Sequence, residues 1–96
     1  MKIELKKFGN ILTSRQAGKE AYAAFLPSLK EIPAEEKIEV DFDGVSTFSP
    51  SWGDEFLTPL NKMFAGRVFL KASQNPSVEL SLEVLESANN LKFIKE

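Results

Sequence analysis

Hydroxyl, guanidinium and carboxylate side chains gather in two stretches, Thr13-Ser14-Arg15 and Ser49-Pro50-Ser51-Trp52-Gly53-Asp54-Glu55. A serine beside acids invites a nucleophile reading, but a serine hydroxyl attacks only when a neighbouring base takes its proton. The chain has no histidine and no cysteine. Ser-His and Cys-His pairs are therefore excluded, as are thiolate and imidazole metal ligands, and Lys62 or Lys71 cannot be placed beside either serine from sequence. The chain is not expected to be an enzyme.

Three other chemistries fit these residues. Ser14 and Arg15 at a helix start could hold a phosphate or carboxylate on free backbone amides, although a capped helix with a solvated arginine is the favoured explanation. Ser49 and Ser51 could accept a phosphoryl group, since a dianion is stabilised at a helix N-terminus, with Asp54 and Glu55 opposing it. Both also fit plain capping. With Pro50 as the first helical residue Ser49 is the cap, and with Ser51 as the cap Asp54 becomes its capping-box partner. The four acids Asp41, Asp43, Asp54 and Glu55 would suit a hard cation or a small ligand at the carboxyl edge of a sheet. Gly18-Lys19 is not a phosphate loop, because Thr13 stands where that loop needs a glycine and Glu20 where it needs a hydroxyl.

The elements that must position these groups follow from hydropathy periods. KIELKK at 2–7 alternates like a strand with one buried face, and KIEVDFD at 37–43 does so more strongly. RVFLKA at 67–72 has consecutive apolar residues, the pattern of a central strand covered on both faces. Thr13 with Gln16 matches a capping box ahead of a helix from about Ser14 to Lys30, in which Pro27 predicts a kink or an end near Phe25. A second helix is predicted over about Ser51 to Phe64, stopped by Gly66 and again containing a proline, Pro59. A third is predicted over Pro76 to Ala88 after an Asn75 cap. LKFIKE at 91–96 reads as a last strand or an ordered tail. The expected fold class is α/β, one small domain over residues 1–96 with a mostly parallel or mixed four-stranded sheet and about three helices.

Composition narrows the partners. Ninety-six residues, 43% of them hydrophobic, suit one domain. No apolar run is long enough for a membrane span and the start lacks a secretory core, so a cytoplasmic protein with no membrane partner is expected. Twelve basic residues are dispersed among fourteen acidic ones, net −2, which gives no footprint for nucleic acid. No cofactor is expected.

The stretch DFDGVSTFSPSWGDEF, with Asp41, Phe42, Gly44, Val45 and the Asp54-Glu55 pair, resembles the STAS-like domain family of bacterial uncharacterised proteins, and Ser14-Arg15 matches that family's first helix start. More distantly it is similar to true STAS domains, the anti-sigma factor antagonists, whose helix opens Asp-Ser-Ser-Gly with a phosphorylated first serine. Residue by residue, that aspartate falls on Ser49, the phosphorylated serine on Pro50, the second serine on Ser51 and the glycine on Trp52. The acceptor position thus holds a proline and the glycine position a large ring. The resemblance implies a regulatory or adaptor module whose partner is a protein, such as a histidine-kinase-like ATPase or an anti-sigma-type regulator. Its expected contact residues are Ser49, Ser51, Trp52, Asp54 and Glu55 together with Ser14 and Arg15, with Ser49 and Ser51 as possible phosphorylation sites. The alternative is a small-ligand, nucleotide or metal-binding domain built on Asp41, Asp43, Asp54 and Glu55. A plainer reading makes Trp52 and Phe56 core residues and leaves the work to another face.

Overall fold

In the computed structural model, which describes residues Met1–Glu96, the alternating segments form strands β1 (Lys2–Glu4), β3 (Ile38–Asp41), β5 (Val68–Leu70) and β6 (Ile94–Lys95). They make one sheet in the order β1-β3-β5-β6, with every pair parallel. Helices α1 (Arg15–Leu29), α2 (Pro50–Met63) and α3 (Pro76–Asn89) connect them. The α/β class, the four parallel strands and the three helices are as expected.

Strands that advance in chain order, joined by right-handed crossovers, place every helix on the same face. Burial agrees with that rule. Ile3, Ile38, Val40, Val68 and Leu70 are sealed, whereas their neighbours Lys2, Glu4, Glu39 and Phe69 are exposed or half-buried. The expectation that β5 is covered on both faces is thereby corrected: Phe69 lies on the open face, with the Lys37 ammonium 4.5 Å from its ring centre.

The first strand is shorter than its alternation predicts, because Leu5–Phe8 turns into a 3-10 helix. Gly9, at φ 123, redirects the chain into a short strand β2 (Ile11–Leu12). After β3 the chain breaks similarly at Gly44, φ 87, and resumes as β4 (Thr47–Phe48). β2 and β4 pair in parallel, Ile11 with Thr47 and Leu12 with Phe48. Neither is visible in the periodicity, since two residues are too few to show a period.

Ser14 caps α1, accepting the Ala17 N–H at 3.1 Å, so the Thr13 capping box is displaced by one residue. Gln16 donates to Glu20 instead of reaching back. α1 continues through Pro27 to Leu29 and α2 through Pro59 to Met63. Neither proline ends its helix; Pro27 is exposed and Pro59 half-exposed. Asn75 caps α3 as expected, accepting the Ser77 N–H at 2.9 Å. Twenty-one buried apolar residues form one core. Its centre is aromatic, with Trp52 stacked on Phe56 at 5.0 Å and Phe8 tilted against both.

Candidate functional site

The β2–β4 pair delivers two helix starts side by side. Leu12 and Phe48 are register partners, and each is followed within two residues by a cap, Ser14 for α1 and Ser49 for α2. Ser49 welds the two starts together: its N–H donates to the Leu12 carbonyl at 3.0 Å and its hydroxyl donates to the Thr13 carbonyl at 2.8 Å. The same oxygen accepts the Trp52 N–H at 3.4 Å. Of the two capping registers, the one with Ser49 as cap and Pro50 at the first helical position is adopted. Ser51 is therefore half-buried in the first turn without a capping role.

Residues 39 and 40 positions apart now meet. Arg15 Nη1 donates to Asp54 Oδ2 at 3.0 Å and to Glu55 Oε2 at 2.8 Å, bridging α1 to α2 at the surface. Asp54 has further donors on its other oxygen, Thr58 Oγ1 at 3.2 Å and Asn89 Nδ2 at 3.1 Å. One carboxylate thus ties α1, α2 and α3. The Arg15 hydrogen bond, helped by Asn89 and Thr58 and opposed by partial burial, holds the Asp54 carboxyl below the usual aspartate range. The hydrogen bonds that Arg15 donates to Asp54 and Glu55 in turn raise the Arg15 pKa. Two carboxylates on one guanidinium leave the cluster with a net charge of about −1, which disfavours the simple anion-site reading of Ser14-Arg15.

Two sequence expectations are corrected by this geometry. Trp52 was expected on the contact surface, but it is 1% exposed; the helical stripe it shares with Phe56 and Leu60 points into the core. It supports the helix start from beneath, as the plainer reading of Trp52 and Phe56 had it. The acids Asp41, Asp43, Asp54 and Glu55 do not assemble either. No group of three or more of the chain's acids is placed to share a cation.

Asp41 and Asp43 form a turn of their own. The Asp43 N–H donates to Asp41 Oδ1 at 2.9 Å, the side-chain-to-backbone bond that such turns favour. That bond, with Lys71 and Lys2 nearby and against partial burial, holds the Asp41 carboxyl low. Both acids line an open cleft of about 550 Å³ at the carboxyl ends of β1, β3 and β5, with Lys2, Lys71 and Gln74. This is the usual ligand position in open α/β sheets.

Sequence reasoning missed the partners contributed by α3. Ser77 Oγ accepts the Phe48 N–H at 3.1 Å and Ser81 Oγ donates to the Phe48 carbonyl at 2.9 Å, so two serines one turn apart satisfy the edge of β4 that β2 leaves open. Their four-residue spacing on a buried-side stripe was the available signal. Every buried side-chain polar atom has a hydrogen-bond partner. No helix is long and apolar enough to cross a membrane. Comparison with protein-family models, with curated proteins and with solved structures finds no match.

Proposed function

We propose that the chain is a non-enzymatic regulatory or adaptor module that binds a protein partner through the surface where α1 and α2 begin. The observation that carries this reading is the exposed Arg15 bridge to Asp54 and Glu55, set on two helix starts held in fixed register by Ser49. Rigid elements presenting charged side chains around a packed base make a good recognition surface. Neither capping serine has a carboxylate or amine bonded to its hydroxyl, both being engaged with backbone, and the one hydroxyl that meets a carboxylate, Thr58 on Asp54, is buried, which favours binding over reaction. Within this surface Arg15, Glu55 and Ser51 are the contact residues, while Ser14, Ser49, Trp52 and Asp54 hold their positions. The resemblance to STAS domains supports a histidine-kinase-like ATPase or an anti-sigma-type regulator as the partner. Ser51 is the better phosphoryl acceptor of the two candidates, because a phosphate on Ser49 would forfeit its bond to Thr13.

A photo-crosslinking residue at position 51, compared with one at position 30 near the far end of α1, tests the reading in cells of the chain's own host. Crosslinking to one protein from position 51 and not from 30 is expected. Equal yields from both positions would sink it. Intact-mass measurement on protein from that host tests the phosphorylation component.

The cleft at Asp41, Asp43 and Lys71 favours a second, narrower reading, a small polar ligand at the strand ends that does not involve Asp54 or Glu55. Titration with divalent cations and nucleotides, followed by amide shifts at Asp43 and Lys71, separates it from the first.

A further inference from the structure

Strand β1 ends the sheet, with β3 on one side and no strand on the other. Its inner side is satisfied: the Met1 nitrogen donates to the Lys37 carbonyl, and the Met1 carbonyl accepts the Glu39 N–H. Peptide groups alternate in direction along a strand, so those of Ile3, in register with Val40, also face β3. Those of Lys2 and Glu4 therefore face outward, open to a further strand. The Glu4 carbonyl also opens the 3-10 helix and keeps a second lone pair for that strand. Beside this edge runs the outer flank of α1. Arg15 and Tyr22 meet Asp54 and Phe56 on the α2 side of the helix. At 100° per residue, Ala17, Ala21, Ala24 and Ser28 share the flank turned away from α2; Ala21 is half-buried and the other three are exposed. The charges on this side of the molecule are of both signs. Lys2 lies 3.6 Å from Asp41 and Lys6 3.5 Å from Glu4, Lys7 sits 4.3 Å from the Phe25 ring centre, and Glu20, bordering the stripe, accepts from Gln16.

We infer that two copies of the chain associate through β1 and α1, the β1 strands running antiparallel about a two-fold axis at Ile3 to make one continuous sheet. Three features select a second copy over a foreign strand. Lys2-Ile3-Glu4 is its own complement: run antiparallel, each Lys2 stands directly opposite the Glu4 of the second copy, an attractive cross-strand pair on the open face. The outward peptide groups match as well, because those opposed residues exchange N–H and C=O bonds on both sides of Ile3. The helices then fit. The crossover from β1 to β3 lays α1 over those two strands, so the two copies of α1 lie about two strand spacings apart, about 10 Å. Helices touch at that distance, and alanine and serine leave room for the approach. A lone foreign strand would leave this flank uncovered, and joining β1 to the opposite edge at β6 would grow without closing. Arg15 faces α2 and stays outside the contact, so the dimer carries two of the proposed recognition surfaces without depending on them.

Sedimentation equilibrium at concentrations up to about 1 mM, which reaches even a weak association, should show a reversible monomer and dimer. K2E and E4K each set like charges opposite one another and should weaken the dimer about tenfold, two attractive pairs having become repulsive. The swap K2E/E4K should restore it, and an equimolar mixture of K2E and E4K should form a heterodimer. A24K, which puts a long charged side chain on the α1 stripe, should weaken the dimer by a similar factor. Positions 2, 4 and 24 are exposed, so folding should persist, with circular dichroism as the check. Arg15→Ala should leave the dimer unchanged. A chain that stays monomeric throughout overturns the inference, and so does assembly beyond the dimer. A dimer insensitive to the charge reversals or to A24K, or one that the swap fails to restore, overturns it equally. Loss of the dimer in Arg15→Ala would move the contact to the α1–α2 corner and overturn it too.

Discussion

Gly18 on α1 lies so close to Trp52 on α2 that a Cβ added at position 18 would sit 2.6 Å from the Trp52 carbonyl oxygen and 3.1 Å from its Cα. Both contacts are to backbone, so neither can rotate away. Alanine would gain up to about 1 kcal/mol of helix propensity, yet the two helix starts would have to separate. Gly18→Ala is expected to destabilise the chain by about 1–3 kcal/mol in urea unfolding, as overpacking generally does. At Gly53 the close atoms are Leu85 Cδ1 at 2.8 Å and the Phe48 ring edge at 2.9 Å, both side-chain ends. Gly53→Ala should therefore cost less, and a larger loss there would show that the Leu85 and Phe48 ends cannot yield.

Ser49 both accepts and donates. A cap of aspartate ordinarily equals one of asparagine, but a carboxylate cannot donate to the Thr13 carbonyl and would face its lone pairs. Asparagine can do both. Ser49→Asn is expected to be tolerated better than Ser49→Asp, with Ser49→Ala costing about 1 kcal/mol. Equal stability of the Asn and Asp variants would show that the hydroxyl-to-Thr13 bond carries nothing.

Ser81 is 3% exposed and its hydroxyl donates to the Phe48 carbonyl. Ser81→Ala leaves that carbonyl without the α3 donor, a loss of about 1–3 kcal/mol for a buried group. Ser77→Ala should act through the other half of the same edge, and hydrogen exchange at the Phe48 amide should quicken. Unchanged exchange would mean that water replaces Ser77 readily.

Asp54, Asp41 and Glu86 all have folded-state pKa values below their ordinary ones. For Asp54 the leading cause is Arg15; for Asp41 it is the Asp43 N–H. For Glu86 partial burial opposes the charge, but the Phe93 N–H and Lys95 outweigh it. The unfolded chain therefore binds more protons at low pH than the folded one, and stability is lost as pH falls. The contribution is fully present above the unfolded carboxylate values of about 3.9 and 4.3 and disappears below them, through each depressed folded pKa. Urea midpoints should be level from pH 5 to 7 and drop below about pH 4, with no histidine to add a slope near neutrality. Asp54→Asn should lower the plateau and flatten part of the acid slope; an unchanged slope would place the acid sensitivity elsewhere.

What local sequence determined is what depends on neighbours along the chain. The alternation of Ile38 and Val40, the helical stripe of Trp52, Phe56 and Leu60, the Asn75-Pro76 start and the absence of histidine and cysteine were enough for the α/β class, three helices and the argument against activated nucleophiles. Hydrophobic period and capping act within one or two turns, so they can be read from spacing. What only the tertiary structure decided depends on groups brought together by crossovers. The register of β2 with β4 chose Ser49 over Ser51 as the cap, since only Ser49 reaches the Thr13 carbonyl. The chain-ordered parallel sheet put all helices on one face, leaving Phe69 on the other. The packing of α1, α2 and α3 turned Asp54 from a candidate ligand into their common acceptor and split it from Asp41 and Asp43. Hydrogen bonds and charges act over a few ångströms in space, and residues 39 positions apart in the chain carry no local mark of meeting.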